Sequence, residues 1–329
     1  MLLSVVTMLV ITPRALPVLR RLKIGQTVYA LGPESHRAKQ GTPTMGGLLF
    51  AGVTTVIALA LHLVWYPSVD FGLAIILFSL GCMLIGFADD YIKVVKKRNL
   101  GLIWWQKVIA QVAIGAVFAL HCAQNPYIGS KIIIPLLNVE WDLGGWYIPV
   151  MTAVIVFIVN SANLQDGLDG LLASVASVGA VAWTTIALLA AVMGGTTLFP
   201  SMAGNYANVA LVGLTLAGTC IGFLWFNFYP AKVFMGDTGS MYIGGATVAM
   251  AMVLRLPILL LLIAFTMIVS SLSVIIQRIY FKATHGKRIF KMSPLHHHFE
   301  KSGMTEPQIV AMYTAVTGVL SLVAVLTLI

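Results

Sequence analysis

The acidic residues of this chain are few, and many of them stand where an apolar segment ends. The 329 residues include only 11 Asp and Glu. Five aspartates flank apolar segments: Asp89, Asp90, Asp166, Asp169 and Asp237. An ionisable group at the edge of a hydrocarbon layer is costly to keep and by default indicates a functional site. Carboxylates in such places can bind a hard divalent cation or accept a proton.

The first acidic pair has a basic partner at helical spacing. If the helix continues past Asp89 and Asp90, Lys93 lies one turn beyond both residues, at i+4 and i+3. Neighbouring carboxylates repel each other unless a cation intervenes, which suits a general base or a metal ligand. The alternative interpretation is an ordinary helix end whose following basic residues only fix the topology.

A second polar stretch, residues 160–170, joins two apolar segments. It contains Asn163, Asp166 and Asp169 among glycines. Such a tight turn offers amide, carboxylate and backbone groups to a ligand. A turn that needed only a positive φ would use glycine without these polar side chains, so we interpret the stretch as a binding turn.

A third stretch, Phe234–Ser240, opens another apolar segment and contains Gly236 and Asp237. Backbone amides at a helix N-terminus favour phosphate, and an adjacent aspartate suits a Mg²⁺ ion that bridges protein and diphosphate. Simple capping of the helix by Asp237 or Thr238 would also explain the pattern.

The longest polar segment near the C-terminus, Lys291–Lys301, contains His296, His297 and His298 followed by Glu300. Three consecutive histidines favour a functional surface over a solvated loop, because histidine can donate or accept protons near neutral pH. Carboxylates for a hard cation, basic residues for phosphate oxygens and these histidines together indicate phosphate chemistry.

The composition identifies the class of protein that must position these residues. The chain is 59% hydrophobic and 9% charged, with a mean hydropathy of +0.94, far from the roughly 25% charged residues of soluble domains. It is therefore an all-α polytopic membrane protein, and we expect residues 1–329 to form a single integral-membrane domain. The three cysteines have no metal-type spacing and indicate small buried apolar residues. The first apolar segment has no cleavage pattern, so we expect it to be retained.

Ten segments are apolar enough to cross a bilayer as helices, which need about 20 residues. The first and eighth are the weakest. They are approximately Met1–Leu19, Met45–Tyr66, Phe71–Ala88, Lys107–Ala123, Trp146–Ala162, Leu171–Met193, Ala207–Phe226, Ser240–Leu254, Pro257–Ile276 and Ile309–Ile329.

The basic residues predict the orientation. Of the 20 Lys and Arg residues, only Lys131 and Arg255 fall on one side of this ten-span arrangement. The basic side is cytoplasmic by the positive-inside rule, so both termini face outward. The net charge of +9 thus reflects topology, and no nucleic-acid partner is expected. In the outward loop, two short segments, Lys131–Pro135 and Val139–Asp142, are separated by Leu136–Asn138 and predict a small β-hairpin at the membrane interface.

Five stretches resemble, in order, the motifs of the polyprenyl-phosphate N-acetylhexosamine-1-phosphate transferases. The segment from the triple histidine through Ile309 resembles specifically the phospho-N-acetylmuramoyl-pentapeptide transferase family within that superfamily. The resemblance covers essentially the whole chain and departs at Gln165, where that family's pattern has threonine. The five stretches are Gly41–Gly47, Asp89–Lys93, Asn163–Gly170, Phe234–Ser240 and Ser293–Glu300.

The resemblance implies transfer of phospho-MurNAc-pentapeptide from UDP-MurNAc-pentapeptide to undecaprenyl phosphate. The products would be UMP and lipid I, in peptidoglycan synthesis at the bacterial cytoplasmic membrane. Mg²⁺ would be the cofactor, the active site would face the cytoplasm, and the acceptor would be a membrane lipid. The family commonly forms homodimers.

The resemblance also implies roles for individual residues. Asp89 or Asp90 would deprotonate or position the acceptor phosphate for in-line attack; in a two-step scheme, an aspartate would instead be the nucleophile. Asp237 would hold the metal, and Lys93 and the histidines would stabilise charge. The catalytic group is then Asp89, Asp90, Lys93, Asp237, His296, His297 and His298. The substrate-binding group is Asn163, Asp166, Asp169, Phe234 and Gly236, with Lys39, Thr44, Asn227 and Gln277 as weaker candidates on the same surface.

Two other functions fit parts of the pattern. A sister transferase would move GlcNAc-1-phosphate from UDP-GlcNAc to the same lipid, although the uninterrupted triple histidine favours the muramoyl enzyme. A secondary transporter would also have about ten spans and buried acids, but its site would lie near the bilayer midplane. The acids of this chain cluster instead at the cytoplasmic ends of spans.

Overall fold

The computed structural model describes residues 1–21, 41–66, 70–96, 101–137, 139–194 and 202–329. Within these ranges the chain forms helices and a single two-stranded sheet. The helices are α1 Leu2–Arg21, α2 Gly47–Trp65, α3 Phe71–Val95, α4 Trp104–Gln124, α5 Tyr147–Gln165, α6 Leu171–Val192, α7 Ala203–Asn227, α8 Gly236–Val253, α9 Leu260–Ile263, α10 Phe265–Ala283, α11 Leu295–Glu300 and α12 Glu306–Leu326. The strands are β1 Lys131–Ile134 and β2 Val139–Asp142.

The all-α membrane architecture is confirmed. In the described residues, eight helices are long and apolar enough to cross a membrane, and a ninth span results if the bent pair of α9 and α10 is counted as one. These nine match nine of the ten predicted segments in order, with ends that differ by a few residues. The third helix continues seven residues past its predicted end, from Ala88 to Val95.

The remaining predicted segment, the eighth (Ser240–Leu254), corresponds to α8, whose N-terminal half is too polar to pass the same apolarity criterion. The polar half of α8 is shielded from lipid by neighbouring helices, since α8 packs against α2, α3, α5 and α6. Every residue from Thr238 to Val253 is buried. A helix enclosed by other helices does not meet lipid, so it can carry glycines and hydroxyls that a lipid-facing helix could not.

The ninth predicted span, Pro257–Ile276, was expected to be one continuous helix, and this is wrong in its geometry. The segment bends by 83° between Ile263 and Phe265, and α10 then continues to Ala283. The bend occurs at Ala264, whose backbone (φ −100°, ψ 16°) departs from α-helical geometry. The helix after the bend exposes Ile275, Ile276 and Ile279.

The predicted hairpin is present as an antiparallel pair, with Ile132 opposite Trp141 and Ile134 opposite Val139. It is docked on the turn that follows α8. The backbone N–H of Ile133 donates to the carbonyl of Arg255 (2.8 Å), and the Arg255 guanidinium pairs with a carboxylate of β2.

Close packing between α2 and α8 depends on two glycines. A Cβ at Gly47 would overlap the backbone of Gly239, whereas a Cβ at Gly52, five residues further along the same helix, would meet nothing within 4 Å. We expect Gly47→Ala to destabilise the protein by about 1–3 kcal/mol through overpacking. Gly52→Ala should be neutral or slightly stabilising. Thermal unfolding in detergent measures both, and equal melting temperatures for the two variants would contradict the proposed contact.

Candidate active site

Four helices bring the chemically important residues together at one end of the bundle. The C-terminal parts of α3 and α5 meet the first turns of α4 and α8 there. Gly86 permits this approach, because a Cβ at this position would overlap the carbonyl of Asp237 on α8. Residues more than 100 positions apart in sequence therefore become direct neighbours.

Three carboxylates form the centre of the site. Asp89, Asp90 and Asp237 each offer an oxygen, and these oxygens lie within 4.8 Å of one another. The Lys93 ammonium lies between them, 2.6 Å from Asp89 Oδ2, 3.8 Å from Asp90 Oδ1 and 3.3 Å from Asp237 Oδ2. The predicted i+3 and i+4 pairing on α3 is thus present, and the same lysine also reaches across to α8.

Asp237 has two further partners. Lys107, in the first turn of α4, donates to Asp237 Oδ2 (2.7 Å). The side-chain amide of Asn163 donates to Asp237 Oδ1 (2.9 Å) and to Ser240 Oγ (2.9 Å). Two ammonium groups and an amide therefore surround one carboxylate. A buried cluster of charged side chains would not be stable unless each charge had a partner.

Lys107 is the main residue that sequence reasoning missed. It was counted only among the basic residues that determine topology, because it begins an apolar segment and has no acidic residue at helical spacing. The indication that could have identified it is its position at the start of the helix, one turn into α4. A lysine that faces the bundle interior from that position can reach the ends of α3 and α8.

Asp90 caps the N-terminus of α8 from another helix. Its Oδ2 accepts hydrogen bonds from the backbone N–H of Thr238 (2.9 Å) and from the Thr238 hydroxyl (2.7 Å). Neither Asp237 nor Thr238 caps the helix itself, so that simpler interpretation is wrong. The carboxylate also occupies an N–H that the sequence suggested for phosphate, because a helix N-terminus favours any nearby anion.

The residues around this cap lie very close together. Gly236 has a φ of +73°, and a Cβ there would lie 2.7 Å from Asp90 Oδ2 and 3.2 Å from Thr44 Oγ1. Thr44 therefore lies beside the Asp90 carboxylate, and a substrate-binding role for it stays a prediction. The segment that carries it is held by backbone bonds to Phe234, whose N–H donates to the carbonyl of Pro43 (2.9 Å).

The binding turn between α5 and α6 lies against the histidine helix α11. A Cβ at Gly167 would overlap the His296 imidazole and would lie 3.2 Å from His297 Nε2. His296 and His297 are both buried, and their rings meet edge to face with centroids 4.4 Å apart. His297 Nδ1 lies 3.0 Å from Glu300 Oε2, which fixes the orientation of its ring.

His298 does not join this pair. Its Nδ1 accepts a hydrogen bond from the backbone N–H of Lys291 (3.1 Å), and its ring packs against Phe290. These contacts hold the loop that leads into α11. The structure thus separates the three consecutive histidines into a buried pair at the turn and a third residue that contacts the loop.

Asp169 connects three segments. Its Oδ2 accepts a hydrogen bond from the backbone N–H of Ala231 (2.9 Å), and its own N–H donates to Glu306 Oε2 (3.1 Å). It therefore ties the binding turn to the α7–α8 loop and to the start of α12. A substrate-binding role for Asp169 remains a prediction.

Two of the three remaining substrate-binding candidates form hydrogen bonds with loop backbone groups. The amide of Asn227 donates to the carbonyl of Val233 (2.9 Å), so it stabilises the α7–α8 loop. The amide of Gln277 accepts from the N–H groups of Ile289 and Phe290 and donates back to the Phe290 carbonyl. Lys39 lies outside the described residues.

The three aspartates fit a divalent cation. Oxygens of Asp89, Asp90 and Asp237 already converge on one cationic group, the Lys93 ammonium, and oxygen ligands of this kind are those that Mg²⁺ prefers. Asp89 and Asp90 each have their other oxygen held by the protein, Asp89 Oδ1 by the Leu102 N–H (2.8 Å) and Asp90 Oδ2 by Thr238. The ligand oxygens are thereby fixed in orientation.

Asp166 lies in the turn directly after α5 and has a raised pKa. Burial raises its pKa to about 8, and the nearby negative charges of Asp237, Asp90 and Asp169 add to the rise. Its folded-state pKa is thus above the value of the unfolded chain. The folded protein then holds a proton that the unfolded chain has lost, so stability falls as pH rises between about 4 and 8.

This environment predicts how stability depends on pH. We expect Asp166→Asn to stabilise the protein relative to wild type more at pH 8 than at pH 5. The difference in the free energy of unfolding should grow by at most about 1.4 kcal/mol per pH unit, and the melting temperature should rise with it. The measurement is thermal unfolding in detergent with EDTA. Asp142→Asn is the control, because hydrogen bonds from Ser130 and Gly144 lower the pKa of Asp142 and its effect should be constant over this range. A pH-independent difference for Asp166→Asn would contradict the prediction.

Comparison with known proteins gives a consistent result. The model of Glycosyl transferase family 4 matches residues 72–255, and signature 1 of the phospho-N-acetylmuramoyl-pentapeptide-transferases matches residues 39–50. The chain is 44% identical over 316 residues to the phospho-N-acetylmuramoyl-pentapeptide-transferase of Clostridium kluyveri, covering 96% of this chain and 94% of that protein. It is 42% identical over 328 residues to that of Halalkalibacterium halodurans (99% and 95%), and 41% identical over 330 residues to that of Clostridium novyi (100% and 95%).

Proposed function

This chain belongs to the phospho-N-acetylmuramoyl-pentapeptide-transferase family, and we propose from that premise that it joins phospho-MurNAc-pentapeptide to undecaprenyl phosphate. The chain is a membrane transferase of peptidoglycan synthesis. The donor in this proposal is UDP-MurNAc-pentapeptide, and the products are UMP and lipid I. The observation that carries the proposal is the meeting of three carboxylates and two lysines at one end of the helix bundle.

We propose that Asp89, Asp90 and Asp237 hold Mg²⁺. When bound, the ion neutralises charge on the donor diphosphate and on the leaving UMP. Lys93 and Lys107 supply further positive charge, and both lie within 3.3 Å of Asp237. Two polyanionic substrates repel each other in water, so a site with several fixed cations lowers the barrier to their reaction.

The donor nucleotide lies along the turn between α5 and α6 in this proposal. Asn163 and Asp166 face it, and Phe234 packs against the uracil. His296 and His297 lie against Gly167 of this turn, so they can donate hydrogen bonds to the donor phosphates. The transferred group then lies between the histidine pair and the aspartates.

A groove between α4 and α5 supports a lipid acceptor. It has a volume of about 680 Å³ and is lined mainly by apolar residues, among them Val112, Ile148 and Val156. Asn160 closes one end, where its amide and that of Gln111 exchange hydrogen bonds (2.7 and 3.4 Å).

This groove leads toward the charged cluster. Lys107 lies four residues from Gln111 on α4, and Asn163 lies three residues from Asn160 on α5. Each is one helical turn closer to the aspartates. A polyprenyl chain in the groove would place its phosphate beside Lys107.

The proposed reaction is a single displacement. An oxygen of the acceptor phosphate forms a bond to the phosphorus that carries the sugar, and the bond from this phosphorus to the bridging oxygen breaks. UMP leaves with the electron pair. Asp89 or Asp90 positions the attacking phosphate for this in-line attack. In the two-step alternative an aspartate attacks first, and the enzyme would then exchange labelled UMP into the donor without any acceptor lipid.

The orientation belongs to the same proposal. The end of the bundle that carries the aspartates is also the end where the basic residues concentrate, so it faces the cytoplasm by the positive-inside rule. The membrane is then the bacterial cytoplasmic membrane, and both termini face outward. Water-soluble UDP-linked donors reach the site from that side.

The experiment that tests the proposal compares two donors. Purified protein in detergent receives undecaprenyl phosphate and Mg²⁺ with either UDP-MurNAc-pentapeptide or UDP-GlcNAc, and UMP release is measured. Release from the muramoyl donor alone supports the proposal. Release only from UDP-GlcNAc would overturn the donor, and no release from either by folded protein would overturn the transfer reaction.

A further inference from the structure

The hairpin at the end of the bundle opposite the aspartates has two chemically different faces. Residues opposite each other in the ladder share a face, so Ile132 and Ile134 lie with Trp141 and Val139. The other face carries Lys131, Glu140 and Asp142 around the buried Ile133. A short sheet with one apolar and one charged face is amphipathic.

The charged face is fixed to the rest of the protein. Glu140 pairs with the Arg255 guanidinium and with Lys131 (3.2 Å), and the backbone of Ile133 bonds to that of Arg255. Asp142 Oδ1 accepts from the Ser130 hydroxyl (2.6 Å). These contacts hold the hairpin in one orientation on the turn after α8, so the direction of its apolar face is also fixed.

Ile132 on the apolar face is buried in the core, but the outer part of this face is exposed. Leu136, Leu137, Val139 and Trp141 expose between 50% and 78% of their surface. They form one patch, because the two leucines occupy the hairpin turn and the other two residues follow directly on β2. Exposed apolar patches of this kind mark interaction surfaces.

The patch is continuous with the lipid-facing surface of the helices. The hairpin is inserted between α4 and α5, whose nearby ends expose Val117, Leu120, Trp146 and Val150. The 21 residues of α4 span roughly 31 Å, which matches a hydrocarbon core of about 30 Å. The hairpin starts seven residues after this helix ends, so a helix that spans the hydrocarbon core places the hairpin near the lipid headgroups.

We propose that the apolar face of this hairpin inserts into the headgroup region of the leaflet opposite the active site. Tryptophan prefers this region, since its ring is apolar and its N–H can bond to headgroups. The partner is the lipid surface itself. The insertion fixes the depth of α4 and α5, which carry Lys107 and Asn163 at their other ends.

Nitroxide labels on the full chain test this proposal. Leu137→Cys and Trp141→Cys place labels on the apolar face, and Lys131→Cys places one on the charged face. The native cysteines are buried, and the unmutated chain measures any background labelling. In vesicles of phosphatidylethanolamine and phosphatidylglycerol, collision rates are compared for oxygen, which concentrates in lipid, and a water-soluble nickel chelate. Thermal unfolding checks that each variant folds, and Leu136→Cys replaces any variant that does not.

The expected oxygen-to-nickel ratio is roughly tenfold higher on the apolar face than at position 131, since interfacial insertion buries side chains about 5–10 Å below the lipid surface. Equal ratios at all positions would overturn the proposal and leave a solvated hairpin. Spin–spin broadening at position 137 or 141 that disappears on dilution with unlabelled chain would also overturn it, because a second copy would then cover the face.

Discussion

Asp237→Asn should reduce UMP release by roughly 10³-fold while the chain remains folded, because the substitution removes the charge on which the site converges. Asp237 is the carboxylate that receives Lys93, Lys107 and Asn163 at 3.3, 2.7 and 2.9 Å. Asparagine keeps the shape and one oxygen, but it loses the negative charge that a divalent cation requires. The loss should appear in the turnover number at saturating donor and acceptor.

The control for this prediction is Asp142→Asn in the hairpin, which removes an equivalent charge at the opposite end of the bundle. Its UMP release should equal that of wild type. Melting temperatures of both variants show whether the fold is kept. Near-normal turnover of Asp237→Asn at saturating Mg²⁺ would remove Asp237 from the metal site.

Lys107→Met should reduce turnover by about 10²-fold, since one fixed cation of this kind typically contributes this much to stabilising an anionic transition state. Methionine keeps the unbranched apolar stem and removes only the ammonium. The variant should fold, because Asp237 retains Lys93 and Asn163 as partners.

Lys107→Arg distinguishes the need for charge from the need for one geometry. A single ammonium donates at 2.7 Å to Asp237 in a confined space, so the broader guanidinium should restore only part of the activity. Lys131→Met, which removes a lysine from the hairpin, should leave turnover unchanged. Wild-type turnover in Lys107→Met would show that the contact with Asp237 is only structural.

Much of the fold could be predicted from the sequence because lipid imposes a simple rule on helices. A helix that meets the bilayer must be apolar for about 20 residues, and nine predicted segments followed that rule. The rule is weakest for α8, since burial among α2, α3, α5 and α6 replaces lipid with protein. The bend at Ala264 could not be predicted, because neither proline nor glycine marks it.

The site was predictable to the extent that its residues repeat a local spacing. Lys93 pairs with Asp89 and Asp90 through one helical turn, and this pairing could be read directly from the sequence. Contacts between helices carry no such local signal. The use of Asp90 as the cap of α8 and the contact of Lys107 with Asp237 depend on how α3, α4 and α8 pack, so they became visible only in the structure.

The polar segments show a second limit on predicting the site from the sequence. Gln277, Asn227 and His298 have residue types that suit ligand binding, yet they form hydrogen bonds with backbone groups of neighbouring loops. A backbone N–H or carbonyl without a partner is as costly as an unpaired side chain, so loops near a site need amides and histidines of their own. Residue type alone does not separate these two uses.

Mn²⁺ binding is the most direct test of whether Asp89, Asp90 and Asp237 bind a divalent cation. Electron paramagnetic resonance of the full chain in detergent counts the Mn²⁺ bound at each free concentration. We expect one bound Mn²⁺ per chain that Mg²⁺ displaces, and we expect this ion to be retained in Asp142→Asn and lost in Asp237→Asn. Equal Mn²⁺ binding by wild type and a folded Asp237→Asn variant would contradict it.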